Sequence, residues 1–124
     1  MSLLLDTHVV LWWLEGARLS ESTLDRISDP AELVVVSAAT IWEAAIKRAL
    51  GKLDVPESLA AAVIDEGFEP LPIGFEHAAR AGALPPHHRD PFDRILIAQA
   101  LEQGLTIATH DPAFEAYGID LLRV

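Results

Sequence analysis

The sequence predicts an α/β protein built around a parallel β-sheet. Short runs rich in Leu and Val alternate with longer stretches in which apolar residues recur at helical spacing, a pattern typical of successive strand–helix units. The 124 residues, 51% of them hydrophobic, suffice for one hydrophobic core, so we expect residues 1–124 to form a single domain.

Five strands are predicted, each a short apolar run bounded by polar or turn-forming residues. In chain order they are Leu3–Leu5, Leu33–Ser37, Glu69–Ile73, Leu105–Thr109 and Ile119–Arg123.

Helices are predicted between the strands, several of them ended by glycine or begun by proline. They are Val9–Leu14 with its end at Gly16, Glu21–Ser28, Ala38–Leu50 with its end at Gly51, Pro56–Glu66, Phe75–Gly82, Pro91–Gln103 and Pro112–Tyr117. The Ala38 helix has a regular apolar stripe with Glu43 at its border, and the Pro91 helix is apolar nearly all round, which predicts burial against the sheet.

Composition excludes several classes of site. The absence of cysteine excludes disulfides, thiolate zinc sites and cysteine nucleophiles. No apolar run approaches the ~20 residues of a membrane span, and the first residues lack a signal-peptide pattern, so we expect a cytoplasmic protein without a membrane partner. The net charge of −10, with only nine Lys and Arg, disfavours nucleic acid binding unless the acids are gathered at a metal site.

Four carboxylates are the strongest functional signal: Asp6, Glu43, Asp93 and Asp111. A parallel sheet brings the carboxyl ends of its strands to one edge, and this prediction places each of the four near that edge. Carboxylates crowded together would be forced to protonate unless a cation bound them, and hard oxygen ligands suit Mg²⁺ or Mn²⁺. The pattern therefore points to metal-dependent cleavage of phosphodiesters by an activated water.

Each carboxylate also has a simpler interpretation. Asp6 could cap the following helix, and Asp90 and Asp111 each precede a proline, as an N-cap residue often does. Asp29 also precedes a proline, Pro30, although there is no reason to suspect a catalytic site there. An aspartate before a proline is therefore not by itself a functional signal. We therefore interpret Asp90 chiefly as a cap and favour Asp93 as the metal ligand.

Glu43 could form an ordinary ion pair with Lys47 one helical turn later. It borders the apolar stripe, however, and a partly buried carboxylate there needs a partner. Among the cations, Arg89 and Arg94 are candidates to hold a scissile phosphate, although Arg94 could equally pair with a neighbouring acid.

The histidines and tryptophans give weaker functional signals than the carboxylates. The five histidines lack the spacing of a zinc site, and the adjacent His87 and His88 should diverge. The three tryptophans are expected mainly in the core rather than as base-stacking platforms. Because Trp12 and Trp13 are adjacent, one must leave the apolar stripe of its helix, which makes it a candidate for a partner interface.

Four segments of the chain, in order and with matching spacing, resemble PIN-domain nucleases and, more narrowly, VapC-type toxins of toxin–antitoxin pairs. They are residues 3–8, 37–53, 88–100 and 109–118. The resemblance implies a three-layer α/β/α sandwich with a central parallel sheet, an endoribonuclease dependent on Mg²⁺ or Mn²⁺, and a homodimer neutralised by a cognate antitoxin. It also implies that the acids of the metal site are Asp6, Glu43, Asp93 and Asp111, that Asp90 is an auxiliary acid, and that Thr7 and Thr109 orient the acids.

Two other functions remain open from the residues alone. A phosphoacceptor signalling domain has similar length, but it would need an acidic pair near the first strand and a lysine at the fifth, whereas Asp6 is single and no lysine follows Lys52. A non-catalytic interaction module would use the carboxylates as helix caps and bind a basic peptide through its acidic face.

Overall fold

A computed structural model describes residues 2–124 and contains a five-stranded, entirely parallel sheet. The strands lie in the order β3-β2-β1-β4-β5, so β1 is central and pairs with both β2 and β4. Their bounds are β1 Ser2–Leu5, β2 Leu33–Ser37, β3 Glu69–Leu71, β4 Thr106–Thr109 and β5 Leu121–Arg123. The first and fourth strands, far apart in sequence, therefore end side by side.

Six α-helices and one 3₁₀ helix connect the strands in the described part of the chain. They are α1 Thr7–Glu15, α2 Glu21–Ser28, α3 Ala38–Ala49, α4 Leu59–Asp65, α5 Phe75–Ala83, α6 Pro91–Gln103 and the 3₁₀ helix Pro112–Tyr117. Gly16 and Gly104, at the ends of α1 and α6, take left-handed backbone conformations that side chains rarely adopt, which terminates each helix.

Alternate residues of the strands face two separate cores. Leu3 and Leu5 pack on one face of the sheet, whereas Leu4 packs on the other. The first core is completed by residues of α1, α2 and α4, and the second by residues of α6 and the 3₁₀ helix. The predicted three-layer α/β/α architecture is therefore confirmed.

Several element boundaries differ from the prediction. Strand β3 ends at Leu71 rather than Ile73, because Pro72 has no N–H to donate to the sheet. Helix α4 begins at Leu59 rather than Pro56, since the backbone at Val55 is held by Arg48 Nε and residues 57 and 58 form a turn. The last strand begins at Leu121, two residues later than expected.

The tryptophans do not share one environment. Trp13 packs against Phe68 and the first core, as expected. The expectation for Trp42 was wrong: 57% of it is exposed, and its ring meets the ring of Phe92 edge to face. Among residues 2–124, no helix has the length and hydrophobicity needed to cross a membrane.

Candidate metal site

The acids converge where β1 and β4 end. Asp6 follows β1 directly and Asp111 lies two residues after β4, and the backbone N–H of Asp6 donates to the carbonyl of Ala108 across the strand pair. Glu43 reaches this edge from α3, and Asp93 from the first turn of α6. The sheet topology thus brings together carboxylates more than a hundred residues apart in the chain.

Asp6 is buried and serves two roles. Its Oδ1 accepts from the backbone N–H of Val9 at 2.9 Å, which makes it the N-cap of α1. Its Oδ2 accepts a hydrogen bond from the hydroxyl of Thr109, whose oxygen in turn accepts from the N–H of Asp111 at 3.0 Å. The simpler interpretation as a cap is therefore correct, and the same carboxylate also lies in the acid cluster.

Glu43 is 4% exposed and has a partner on each carboxylate oxygen. Thr7 Oγ1 donates to Oε1 at 2.6 Å, and Lys47 Nζ donates to Oε2 at 2.6 Å. The ion pair expected at this spacing is present, but it lies against a buried carboxylate rather than on a solvated helix face. Thr7 and Thr109 thus occupy equivalent places, each donating a hydroxyl hydrogen to a buried acid.

Asp93 and Asp111 form a more open group together with His88. The Nε2 atom of His88 lies 2.7 Å from Asp93 Oδ2 and 3.8 Å from Asp111 Oδ2. One potential ligand atom from each of these three residues lies within 4.8 Å of the others. Asp111 also caps the 3₁₀ helix through the N–H of Ala113.

Asp90 is a helix cap, as interpreted from the sequence. Its Oδ1 accepts from the backbone N–H groups of Phe92 and Asp93, at 2.8 and 3.2 Å, and Pro91 follows as the first helical residue. The carboxylate nevertheless lies close enough to Asp93 for its negative charge to act there.

One cavity of about 180 Å³, called the acid cavity below, contains all five acids. Its walls are Asp6, Thr7, His8, Glu43, Lys47, His88, Asp90, Asp93, Asp111 and Phe114. Larger cavities exist on the molecule, but the largest has an almost wholly apolar wall and contains none of these acids. The acid cavity is therefore a candidate site for a cation.

Two carboxylates of the acid cavity have raised pKa values. Burial, reinforced by the charge of Asp90, raises the pKa of Asp93 from 3.8 to about 7, although the contact with His88 acts in the opposite direction. Burial also raises the pKa of Asp6, partly offset by the hydrogen bonds from Thr109 and Val9. The hydrogen bond to Glu43 raises the pKa of Lys47, so this side chain remains an ammonium.

The two arginines singled out from the sequence lie away from the acid cavity. Both line a separate surface cavity with Trp42 and Phe92. The guanidinium of Arg94 donates to four backbone carbonyls, those of Ala81, Leu84, Pro85 and His88. These contacts indicate that Arg94 holds the segment before α6. From the sequence, Arg94 was instead considered as a phosphate contact or as the partner of a neighbouring acid.

Trp12 lies beside the acids, whereas Trp13 does not. A second cavity of about 390 Å³ contains Trp12, the two carboxylates Asp6 and Asp111, and the rings of His8 and His110. Arg18 lies over the Trp12 ring, 5.9 Å from its centroid. The Trp13 indole instead donates to Glu66 at 3.1 Å.

Comparison with known proteins identifies the family. The sequence model of the PIN domain matches residues 3–120. The chain belongs to the PIN-domain family. It is similar to Ribonuclease VapC22 of Mycobacterium tuberculosis, with 35% identity over 120 residues covering 89% of this chain and 87% of the relative.

Solved structures show the same PIN fold. VapBC2 from Rickettsia felis, determined bound to a DNA fragment from its promoter, has a chain that superposes with a TM-score of 0.75 at 13% identity, over 99% of this chain and 98% of that one. FitAcB from Neisseria gonorrhoeae gives a TM-score of 0.68 at 21% identity, over 98% and 96% of the two chains. These likenesses cover the whole sheet and both helical layers.

The donor set of this PIN domain fits a divalent cation. Carboxylate oxygens are the ligands that Mg²⁺ and Mn²⁺ prefer. Among the described residues, Asp93, Asp111 and His88 each offer one ligand atom within 4.8 Å of the other two. Asp6 and Glu43 border the same cavity and retain lone pairs, since a carboxylate can accept about four hydrogen bonds or ligand contacts.

Lys47 and His88, which contact acids of the cavity, were not anticipated from the sequence as parts of the site. Lys47 was considered only as a reason to dismiss Glu43, and His88 was set aside with the other histidines. The signal that could have identified His88 is its position five residues before Asp93, in the irregular segment that leads into α6. The direction in which the His88 side chain points depends on the conformation of that loop, and no periodic sequence pattern predicts this conformation.

Proposed function

We propose that this PIN-domain protein is a metal-dependent endoribonuclease and the toxin of a toxin–antitoxin pair. The observation that carries the proposal is the acid cavity, where five carboxylates meet and one of them has a pKa of about 7. The similarity to a ribonuclease at 35% identity supports the choice of RNA as substrate. Mg²⁺ and Mn²⁺ are the candidate cofactors.

The residues divide the work between holding a cation and orienting the acids. Asp93 and Asp111 would hold the ion, with Asp6 and Glu43 completing the negative wall around it. A bound divalent cation would supply Lewis acidity and lower the pKa of a coordinated water. Thr109 and Thr7 orient the carboxylates of Asp6 and Glu43 by donating hydroxyl hydrogens, and Lys47 balances part of the charge.

RNA cleavage tests this assignment directly. Purified protein is incubated with total cellular RNA in Mg²⁺, Mn²⁺ or EDTA, and the cut ends are mapped by sequencing. We expect discrete internal cuts that require the metal and vanish in Asp6→Asn. Asp29→Asn is the matched control, because Asp29 also precedes a proline and caps a turn through the N–H of Ala31 but lies outside the acid cavity. Cutting that persists in EDTA would contradict the proposal.

Metal binding separates the nuclease from an interaction module whose acids are only caps. A cation that binds the folded state alone raises the melting temperature by mass action. We expect Mn²⁺ to raise the melting temperature of the wild type and to have a much smaller effect on Asp93→Asn. An unchanged melting temperature in the wild type would favour the interaction module.

The antitoxin is proposed to cover Trp12 and bring Arg or Lys to the acids. Trp12 shares a cavity with Asp6 and Asp111, so one segment could cover the indole and pair with carboxylates at once. The test is to co-express the neighbouring open reading frame and compare complexes of wild type, Trp12→Ala and Trp13→Ala. Trp12→Ala should weaken the complex. Trp13→Ala should chiefly lower stability, because Trp13 packs against Phe68.

A homodimer is proposed for the free toxin. Large apolar side chains remain exposed on its surface, including Trp42 at 57%, Ile64 at 59% and Phe75 at 94%. Light scattering during size-exclusion chromatography should give twice the 13.5 kDa chain mass. A monomer at micromolar concentration would contradict this part of the proposal.

A further inference from the structure

We infer that His88 is a nitrogen ligand of the metal site and that it biases the site toward a first-row transition ion, such as Mn²⁺ or Co²⁺, over Mg²⁺. The inference rests on the proposed function, because it assumes that Asp93 and Asp111 hold a cation. It adds a ligand that the four-acid assignment does not contain, and it specifies the class of metal.

The distances at His88 satisfy the geometry of a shared ion. Metal–ligand bonds of about 2.0–2.2 Å allow two ligand atoms of one ion to lie at most about 4.4 Å apart. His88 Nε2 lies 2.7 Å from Asp93 Oδ2 and 3.8 Å from Asp111 Oδ2, so both pairs fall within this limit. An ion placed among the three atoms would replace the hydrogen bond that now joins His88 to Asp93.

The backbone of His88 is fixed on both sides. Its N–H donates to the hydroxyl of Tyr117 at 2.9 Å, and its carbonyl accepts from the Arg94 guanidinium at 3.1 Å. Tyr117 is itself held, because its hydroxyl donates to the carbonyl of Pro85 at 2.7 Å. The imidazole ring packs edge-on against Phe114, a buried residue of the 3₁₀ helix.

These contacts orient the ring before any ion arrives. A ligand on an irregular segment would otherwise lose conformational freedom on binding, and preorganisation removes that cost. The four carbonyl contacts of Arg94 thus have a consequence for the site: they fix the loop that carries His88.

A nitrogen ligand changes which ion is preferred. Mg²⁺ is a hard ion that favours oxygen ligands and keeps several waters, whereas the affinity of a nitrogen- and oxygen-containing site for first-row divalent ions rises from Mn²⁺ through Co²⁺ to Cu²⁺ and falls again at Zn²⁺. The affinity that His88 contributes should therefore be smallest for Mg²⁺, larger for Mn²⁺ and larger still for Co²⁺.

Pulsed electron paramagnetic resonance of Mn²⁺ added to the purified protein tests the inference without assaying cleavage. We expect a coupling from a directly bonded nitrogen, which changes when histidine is labelled with ¹⁵N. The coupling should vanish in His88→Gln and persist in His87→Gln. His87 is the matched control because it is adjacent but exposed, with its ring against Tyr117.

Calorimetry gives the second readout. His88→Gln should weaken Mn²⁺ binding by about 10–100-fold, the range found when supporting contacts of metal sites are lost, while Mg²⁺ binding changes far less.

Mn²⁺ bound without nitrogen coupling in the wild type, or with coupling retained in His88→Gln, would overturn the inference and leave the nuclease proposal intact. Equal losses for Mg²⁺ and Mn²⁺ would also overturn it, since His88 would then act only by hydrogen bonding to Asp93. Absence of any metal binding to the wild type would overturn both proposals.

Discussion

The acid cavity has an inner side and an outer side that differ in how their carboxylates are held. On the inner side, Asp6 and Glu43 are 6% and 4% exposed, and their oxygens accept from threonine hydroxyls, a lysine or the backbone. On the outer side, the Asp93 and Asp111 side chains are 17% and 44% exposed. The inner acids thus have fixed donors on their oxygens, whereas burial, reinforced by the charge of Asp90, raises the pKa of the more open Asp93 to about 7.

This difference indicates a division of labour. Buried carboxylates with fixed donors form a rigid wall, because removing either partner would leave an unsatisfied charge in the interior. The more open carboxylates of Asp93 and Asp111 can receive a cation from solvent. Variants on the two sides should therefore fail in different ways, which the following predictions test.

The largest effect is expected on the outer side. Asp93→Asn should lower RNA cleavage by orders of magnitude, because it removes a ligand charge, yet it should raise the melting temperature of the metal-free protein by relieving repulsion from Asp90. Cleavage assays and thermal unfolding in EDTA, each compared with Asp29→Asn, measure the two effects. Normal cleavage by Asp93→Asn would exclude Asp93 from the site.

Loss of a side-chain donor to an inner acid should act mainly on stability. Thr7→Val removes the hydroxyl that donates to Glu43, leaving a buried acceptor unsatisfied, and should lower the free energy of unfolding by about 1–3 kcal/mol. Urea denaturation measures this loss. Thr7→Ser keeps the donor and should recover most of the stability, so equal losses for both variants would assign the effect to packing of the methyl group.

The sequence predicted the elements that set this geometry because their patterns are local and periodic. The apolar run before Asp6, the stripe that contains Glu43 and the proline that starts α6 each define an element by themselves, and the parallel sheet then brings their ends together. What could not be predicted is the segment 84–90, whose conformation depends on distant donors: the Arg94 guanidinium and the Tyr117 hydroxyl. For this reason the acids were found from the sequence, but the direction of His88 and the role of Arg94 were not.

Proton binding by Asp93 should make the stability of the protein depend on pH over a defined range. The pKa of Asp93 is about 7 in the folded protein and 3.8 as an unperturbed group, so between these values the folded state binds more protons than the unfolded state. Stability of the metal-free protein should therefore fall as the pH rises from about 4 to about 7 and then level off. Unfolding in EDTA across this range measures the slope, which Asp93→Asn should reduce. The stabilisation by Mn²⁺ should grow over the same range, since the ion competes with the proton.

The smallest effect is expected at Asp90, which belongs to neither side. Asp90→Ser keeps a good N-cap for α6, so fold stability and cleavage at high pH should remain close to those of the wild type. The substitution removes a negative charge that raises the pKa of Asp93, so that pKa should move toward its ordinary value. The pH dependence of cleavage and of Mn²⁺ binding should then shift to lower pH, which titrations of wild type and Asp90→Ser can measure. Complete loss of cleavage in a folded Asp90→Ser would instead make Asp90 part of the metal site. Asp90 would then belong with the outer acids Asp93 and Asp111 and would not be only a helix cap.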